Sequence, residues 1–353
     1  MAVLNPMLFP ASVVGSLPRP QFVRDLLDRR TPADDLAMDR AVAYAVAMQE
    51  RAGLDVVTDG EWRRHSYIGV IAELAHGFAK GVNPIDGRPW TTVVDRVASS
   101  TPGFVAREAR FVRALTARQV KVTLPAPALL GERLWDPVRS CHAYPERDAF
   151  VRDCVPILRR EIAAIAEAGA DIVQIDDPHL CLFVDPLVRA QYEDPERSAA
   201  FAVDMINAVV AGFPSLRFAV HLCRRAGARV RGEARHDGGF ARILPHLNAL
   251  AVAHLTMEFT TPADDDAGVL RGLRPDLEIG LGCVSVTPGE IDTPDTIVAR
   301  VERALLHIDR SRITLNPDCG FAPGSAARVD IDEVYAKLCN EAIAARMLRE
   351  RHG

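Results

Sequence analysis

The stretch "EIAAIAEAGADIVQIDDP", residues 161–178, holds the end of a helix, its stop and a buried strand. Apolar residues recur every three or four positions up to Ala168, continuing the pattern begun in "RDAFVRDCVPILRR" (147–160). That spacing lines one face of an α-helix. Gly169 then supplies the residue type that most readily ends a helix in the left-handed conformation. From Asp171 the pattern changes to "DIVQIDDP", a short and nearly continuous apolar run closing on two aspartates. A strand without polar alternation is buried on both faces, as parallel strands covered by helices are. "RAGLDVVTDGE" (51–61) repeats the same device.

Working outward from this unit, eight candidate strands emerge. They are "ASVVGS" (11–16), "LDVVTDGE" (54–61), "KVTLPAP" (121–127), "DIVQIDDP" (171–178), "FAVHLC" (218–223), "HLTMEF" (254–259), "EIGLGCVS" (278–285) and "RITLNPDC" (312–319). Helical patterns separate most of them. Eightfold strand–helix alternation predicts the α/β class and a parallel (β/α)8 TIM barrel, with residues 1–353 as one domain. A two-domain α/β protein is the structural alternative. After the second strand, residues 66–118 read as an insert. Its "WTTVVDRV" and "ARFVRAL" segments suggest an extra hairpin over the barrel mouth.

Composition narrows the function. The 353 residues are 48% hydrophobic and 25% charged with a net charge of -5, which argues against a general nucleic-acid surface. No apolar run reaches membrane-spanning length. "MAVLNPMLFPASVVGS" lacks a basic segment followed by a long apolar core, so no secretion signal is read. Seven scattered cysteines do not form a secreted disulfide framework, and a reduced cytoplasm is expected. The positive charge is almost all arginine, for which a coding bias is the simplest account. Nothing in the sequence fixes the oligomeric state.

A barrel places its functional side chains at the carboxyl ends of its strands. Here those ends carry Asp59 and Glu61, Asp176 and Asp177, His221 and Cys223, Glu258, and Asp318 with Cys319. His221 and Cys223 are two apart, so strand alternation points both to one side. Together with Glu258 and Cys319 they form a nitrogen, sulfur and oxygen set suited to Zn²⁺. The four are far apart in sequence, unlike the close cysteine pairs of structural zinc, so the barrel itself must position them. With two thiolate ligands such a metal is a weak hydrolytic Lewis acid. It keeps a bound substrate thiol ionised, and the chemistry expected is alkyl transfer to sulfur.

These residues resemble the cobalamin-independent methionine synthase family, within the wider group of barrels that includes uroporphyrinogen decarboxylase. "NPDCGF" (316–321) carries most of the resemblance, with "HLC", "MEF" and "QIDDP" in support. The match is to the catalytic C-terminal barrel and its short single-barrel relatives. It implies zinc on His221, Cys223, Glu258 and Cys319, with Glu258 and Asp176 in catalytic roles. It also implies that Gly15 and Ser16, in "VGSLP", meet the carboxylate of an amino-acid thiol such as homocysteine, and that Glu61 and Asp176 hold its ammonium group. An ion pair with Arg63, Arg64 or a loop arginine is the alternative reading of those two carboxylates.

Departures from the family pattern bear on the methyl donor. "TLPAPALL" (123–130) stands where methionine synthase carries a folate-stacking tryptophan. Ser285 and Thr287 stand near its proton-donating histidine, which makes transfer from methyltetrahydrofolate harder. His65, His142 and His179 are the candidate substitutes. Ser285 and Arg224 are read as substrate-contacting, Arg224 or Arg225 facing an anionic group. The function expected is zinc-dependent methyl transfer to homocysteine or a related thiol from a methyl or alkyl donor. The alternatives are thiol addition to an epoxide, as in the coenzyme M transferases among the short relatives, and a non-catalytic metal- or thiol-binding barrel.

Overall fold

Gly169 adopts φ 84° and donates its N–H to the Ala166 carbonyl, ending the helix Arg147–Ala168 just before the strand Ile172–Asp176. The computed structural model describes residues 7–29, 32–82, 89–100, 102–224, 236–260, 262–322 and 330–353. Its strands are β1 (Val56–Val57), β2 (Ala75–Val82), β3 (Pro89–Ser99), β4 (Gln119–Pro125) and β5 (Ile172–Asp176), then β6 (Arg217–Leu222), β7 (His254–Glu258), β8 (Glu278–Val284) and β9 (Ile313–Pro317). Seven form one parallel sheet in the order β1-β4-β5-β6-β7-β8-β9. Strands β5, β7 and β8 are buried at every residue, as parallel strands covered on both faces must be.

The helices, in chain order, are α1 (Gln21–Arg29), α2 (Pro32–Ala52), α3 (Ile71–Leu74), α4 (Phe104–Leu115), α5 (Pro127–Leu134) and α6 (Arg147–Ala168). They continue with α7 (Pro178–Leu182), α8 (Pro186–Arg189), α9 (Pro195–Val210), α10 (Leu244–Ala249), α11 (Pro294–Leu305) and α12 (Ile331–His352). Helices separate successive strands of the parallel sheet, a 3-10 helix (Pro262–Gly272) standing between β7 and β8. Among the described residues no helix is long and apolar enough to cross a membrane.

The segment expected as the first strand departs from expectation. Only Ala11 forms a bridge, to Leu315 of β9. Even so, the segment spans the two free edges of the curled sheet, giving a TIM-barrel-like closure. Asp55 and Val56 donate to the Ala11 carbonyl, while Leu315 donates to the Pro10 carbonyl and Ser12 to the Leu315 carbonyl. Beyond Ser12, side chains take the place of ladder bonds. Gln174 Nε2 donates to the Val14 carbonyl at 3.0 Å, and Thr58 Oγ1 to the Gly15 carbonyl at 2.9 Å.

The reading of "ARFVRAL" as part of a hairpin is also corrected, since residues 109–115 lie inside α4. Val105, Glu108, Ala109 and Val112 are buried at helical spacing, so the 3.6-residue period decides the structure there. The antiparallel partner of β3 is β2, and the pair forms its own two-stranded sheet. The hairpin is pinned to the segment between α5 and α6, where the Val97 N–H donates to the Tyr144 hydroxyl at 2.9 Å.

Candidate metal centre

Because the large sheet is parallel, β1, β5, β6, β7 and β9 all deliver their carboxyl ends to one side of the molecule. Asp176 and His221 are register partners across β5 and β6, and their side chains meet, Oδ1 to Nδ1, at 3.2 Å. The Asp176 carboxylate also accepts from Gln174 Nε2 at 2.7 Å. His221, Cys223 and Cys319 offer ligand atoms that all lie within 4.8 Å of one another, and all three residues are buried. The two sulfurs are 3.5 Å apart. His221 Nε2 is buried without a hydrogen bond of ordinary geometry.

The electrostatics of this group call for a cation. The adjacent Cys319 sulfur, then burial, then Glu258 hold the Cys223 thiol far above its ordinary pKa, so the protein alone does not stabilise a thiolate here. Burial works to lower the pKa of His221, yet Asp176 and Cys319 outweigh it and raise it to about 10. An imidazole with one nitrogen fixed by a carboxylate and the other turned to two thiols fits zinc in donor type and arrangement.

Glu258 lies outside this close trio. It is fully buried at the end of β7, and its Oε2 accepts from the Arg224 N–H at 2.9 Å. Arg224 is 1% exposed. Its Nη1 donates to the Gly238 carbonyl at 3.1 Å, and its guanidinium lies 5.2 Å from the centre of the Phe240 ring. Arg225 lies outside the described residues.

The other expected site residues converge from β1 and the N-terminal segment. Glu61 has φ 58°, in the left-handed region that non-glycine residues rarely occupy at a cost of roughly 1 kcal/mol or more. Its N–H donates to Asp59 Oδ1 at 3.0 Å, and its Oε1 accepts from Thr123 Oγ1 at 2.6 Å. Burial pushes the Glu61 carboxyl upward, with Asp176 adding to the shift while Arg64 and Thr123 oppose it. A Cβ on Gly15 would sit 2.8 Å from Glu61 Oε1, so this glycine makes room for the carboxylate. Ser16 is buried against the Cys319 loop. The Phe321 N–H donates to its carbonyl and the Ala322 N–H to its Oγ.

Ser285 serves its own loop, its Oγ donating to Glu290 Oε2 at 2.8 Å and its N–H to Asp292 Oδ2 at 2.8 Å. Of the candidate histidines, His65 and His142 are exposed, and His179 Nε2 meets the Tyr192 hydroxyl at 2.8 Å. Asp177 caps α7 by accepting from the Leu180 N–H. Asp318 accepts from the Phe259 and Thr260 N–H groups, tying the end of β9 to that of β7.

Several neighbours escaped the sequence reading. Gln174 sits two residues before Asp176 on the same strand face, a signal that strand alternation offered. Tyr67 had none. Burial, followed by the charges of Cys223, Asp176 and Cys319 against the opposing Arg133, pushes its phenol well above the ordinary range, so it is a neutral hydrogen-bonding group. Thr123 and Glu108 form the support behind Glu61 together with Arg64, which was read as a possible partner of Glu61 and instead pairs with Glu108.

Comparison with known proteins adds to this geometry. Residues 9–346 match the family model described as "Cobalamin-independent synthase, Catalytic domain". The methionine synthase of Pyrococcus abyssi is 27% identical over 358 residues, covering 97% of this chain and 94% of its own. That of Saccharolobus islandicus is 27% identical over 331 residues, covering 89% and 88%. Among solved structures, a B12-independent methionine synthase from Shewanella sp. W3-18-1, in complex with selenomethionine, matches with a TM-score of 0.80 at 20% identity over 98% of each chain. A methyltransferase from Methanosarcina mazei matches at 0.57 and 15%, over 95% of this chain and 93% of its own. At these identities the structural matches speak for the fold.

Proposed function

Since this chain belongs to the cobalamin-independent methionine synthase family, we propose that it transfers a methyl group to the sulfur of homocysteine or a closely related amino-acid thiol. The observation that carries this reading is the buried trio of His221, Cys223 and Cys319, with Asp176 fixed behind the imidazole. These three residues, with Glu258, would hold a zinc ion. Bound there, zinc would keep the substrate thiol ionised and nucleophilic at neutral pH. Glu258, held by the Arg224 N–H, would be the oxygen donor of that set.

On this reading Glu61 and Asp176 take the substrate's ammonium group, and Gly15 and Ser16 its carboxylate. A buried carboxyl with a raised pKa is stabilised in its charged form by a ligand cation, which supports the role of Glu61. Asp176 also orients His221.

The donor is a methyl compound whose leaving group needs no proton, a methylated corrinoid being the leading class. Supporting this, the loop after β8 carries Ser285 and Thr287, the first bonded to Glu290 and the second accepting from Lys337 Nζ through its carbonyl. The test is metal analysis of the purified protein, then mass spectrometry of thiols incubated with methyl, corrinoid and epoxide donors. Expected is one zinc per chain and S-methylation of homocysteine from a methylated corrinoid. Zinc-loaded protein that alkylates no thiol from any donor would overturn the proposal. Alkylation from an epoxide alone would replace it with the alternative chemistry.

A further inference from the structure

Arg64 lies three residues beyond Glu61, and both side chains are buried, yet the guanidinium does not pair with that carboxylate. Its Nε and Nη2 donate to Glu108 Oε2 at 3.1 and 2.8 Å. Its Nη1 donates to the Thr123 carbonyl at 2.8 Å and to Thr123 Oγ1 at 3.0 Å. That same hydroxyl donates to Glu61 Oε1 at 2.6 Å. A single hydroxyl therefore separates a buried cation from a buried carboxylate.

Glu108 is the unexpected member. It occupies the buried face of α4 among Val105, Ala109 and Val112, where the helical pattern calls for an apolar residue. The side chains of Arg64 and Glu108 are 1% and 0% exposed. A buried ion pair of this kind is often no more stabilising than apolar residues of the same volume, so fold stability alone does not account for it. Burial alone would lower the pKa of Arg64, but Glu108, Asp59 and Glu61 outweigh it and keep the guanidinium charged. Freed from Glu108, that charge would be left to the two other carboxylates that act on it, Asp59 and Glu61, the second one hydroxyl away.

We propose that Glu108 is a specificity-determining positioning residue, holding Arg64 off Glu61 so that the Glu61 carboxylate is left for the ammonium group of the substrate. The inference rests on the reading of Glu61 given above. Helix α4 thereby contributes to ligand choice without touching the ligand. Discrimination between thiols with and without an amino group depends on an ion pair behind the wall of the site.

The experiment compares homocysteine with 4-sulfanylbutanoate, which keeps the thiol and carboxylate and lacks the amino group. Binding of each to the zinc-loaded protein is measured by calorimetry, with zinc content checked in every variant. The wild type is expected to prefer homocysteine. Glu108→Gln should cut that preference by about tenfold, the scale of one charged hydrogen bond, with 4-sulfanylbutanoate affinity little changed. Glu61→Gln should cut it at least as far, leaving what Asp176 supplies. If Glu61→Gln leaves the preference intact, the reading of Glu61 fails. If Glu61→Gln lowers it and Glu108→Gln does not, only the present inference fails. Should Glu108→Gln not fold, the double variant Arg64→Gln/Glu108→Gln decides. With no guanidinium left to reach Glu61 it should keep the preference, and its loss there would overturn the proposal.

Discussion

The sulfur atoms of Cys223 and Cys319 lie 3.5 Å apart although 96 residues separate them in the chain. Strands β7 and β8 stand between β6 and β9 in the sheet, so the two thiols approach each other across the mouth rather than along an edge. Such a pair, joined by His221, could hold a metal only as long as the barrel-like closure holds. Cys223→Ser and Cys319→Ser should each lower bound zinc from about one per chain to a small fraction of that, with unchanged far-ultraviolet circular dichroism. Plasma mass spectrometry of purified variants checks this. Full zinc retention by either variant would mean that the ion sits elsewhere.

Asp176 reaches the proposed metal site through His221. Its carboxylate fixes Nδ1 of the imidazole at 3.2 Å and is itself anchored by Gln174. Partners of this kind typically account for 10–100-fold in metal affinity. Asp176→Asn should therefore weaken zinc binding by roughly that factor in competition with a chromophoric chelator. Were Asp176 only a substrate contact, zinc affinity would not move and only thiol binding would suffer.

The convergence of His221, Cys223 and Cys319 was legible because two simple rules applied to them. Strand alternation put His221 and Cys223 on one side, and parallel topology put every strand end at one mouth. The support of Glu61 was not legible, since "GEWRRH" contains two adjacent arginines and nothing local tells which one is buried. Arg63 pairs with Asp39, while Arg64 reaches Glu108 on a helix 44 residues away. The first strand was overread because an apolar run such as "ASVV" does not announce that Gln174 and Thr58 will satisfy its carbonyls. Arg224, read as a substrate contact beside Cys223, has its guanidinium over the Phe240 ring.

Gly15 offers a direct probe of the amino-acid end. A Cβ there would lie 2.8 Å from both Glu61 Oε1 and Thr123 Cγ2, closer than real Cβ contacts come. Gly15→Ala should displace Glu61 and weaken homocysteine binding by about tenfold, the scale of a charged hydrogen bond, leaving zinc content unchanged. Adding Thr123→Ser removes the methyl group that Cβ would strike and keeps the hydroxyl for Glu61, so part of the affinity should return. Calorimetric titration of both variants measures this. Unaltered binding in Gly15→Ala would dissociate Glu61 from the ligand.

At the opposite end of the strands, His254 ties stability to pH. It is buried at the start of β7, with Nε2 2.8 Å from Thr314 Oγ1 and Nδ1 3.5 Å from Thr256 Oγ1. Burial, then the nearby Arg217 and Lys121, holds its pKa well below the ordinary 6.5. Below that pH the unfolded chain takes up a proton that the folded protein refuses. The stabilisation is thus fully present above pH 6.5 and is lost as the pH falls, by about 1.4 kcal/mol per unit for one proton. Glu341, raised to about 8 by burial, contributes with the opposite sign, being favourable at low pH and lost as the pH rises through that value. Because Glu341 is common to wild type and His254→Gln, comparing the two proteins isolates the histidine. Denaturant unfolding at intervals from pH 8 to 5 should show the wild type losing stability relative to the variant below pH 6.5. Parallel profiles over that range would show that His254 is protonated as readily in the folded protein as in the unfolded chain.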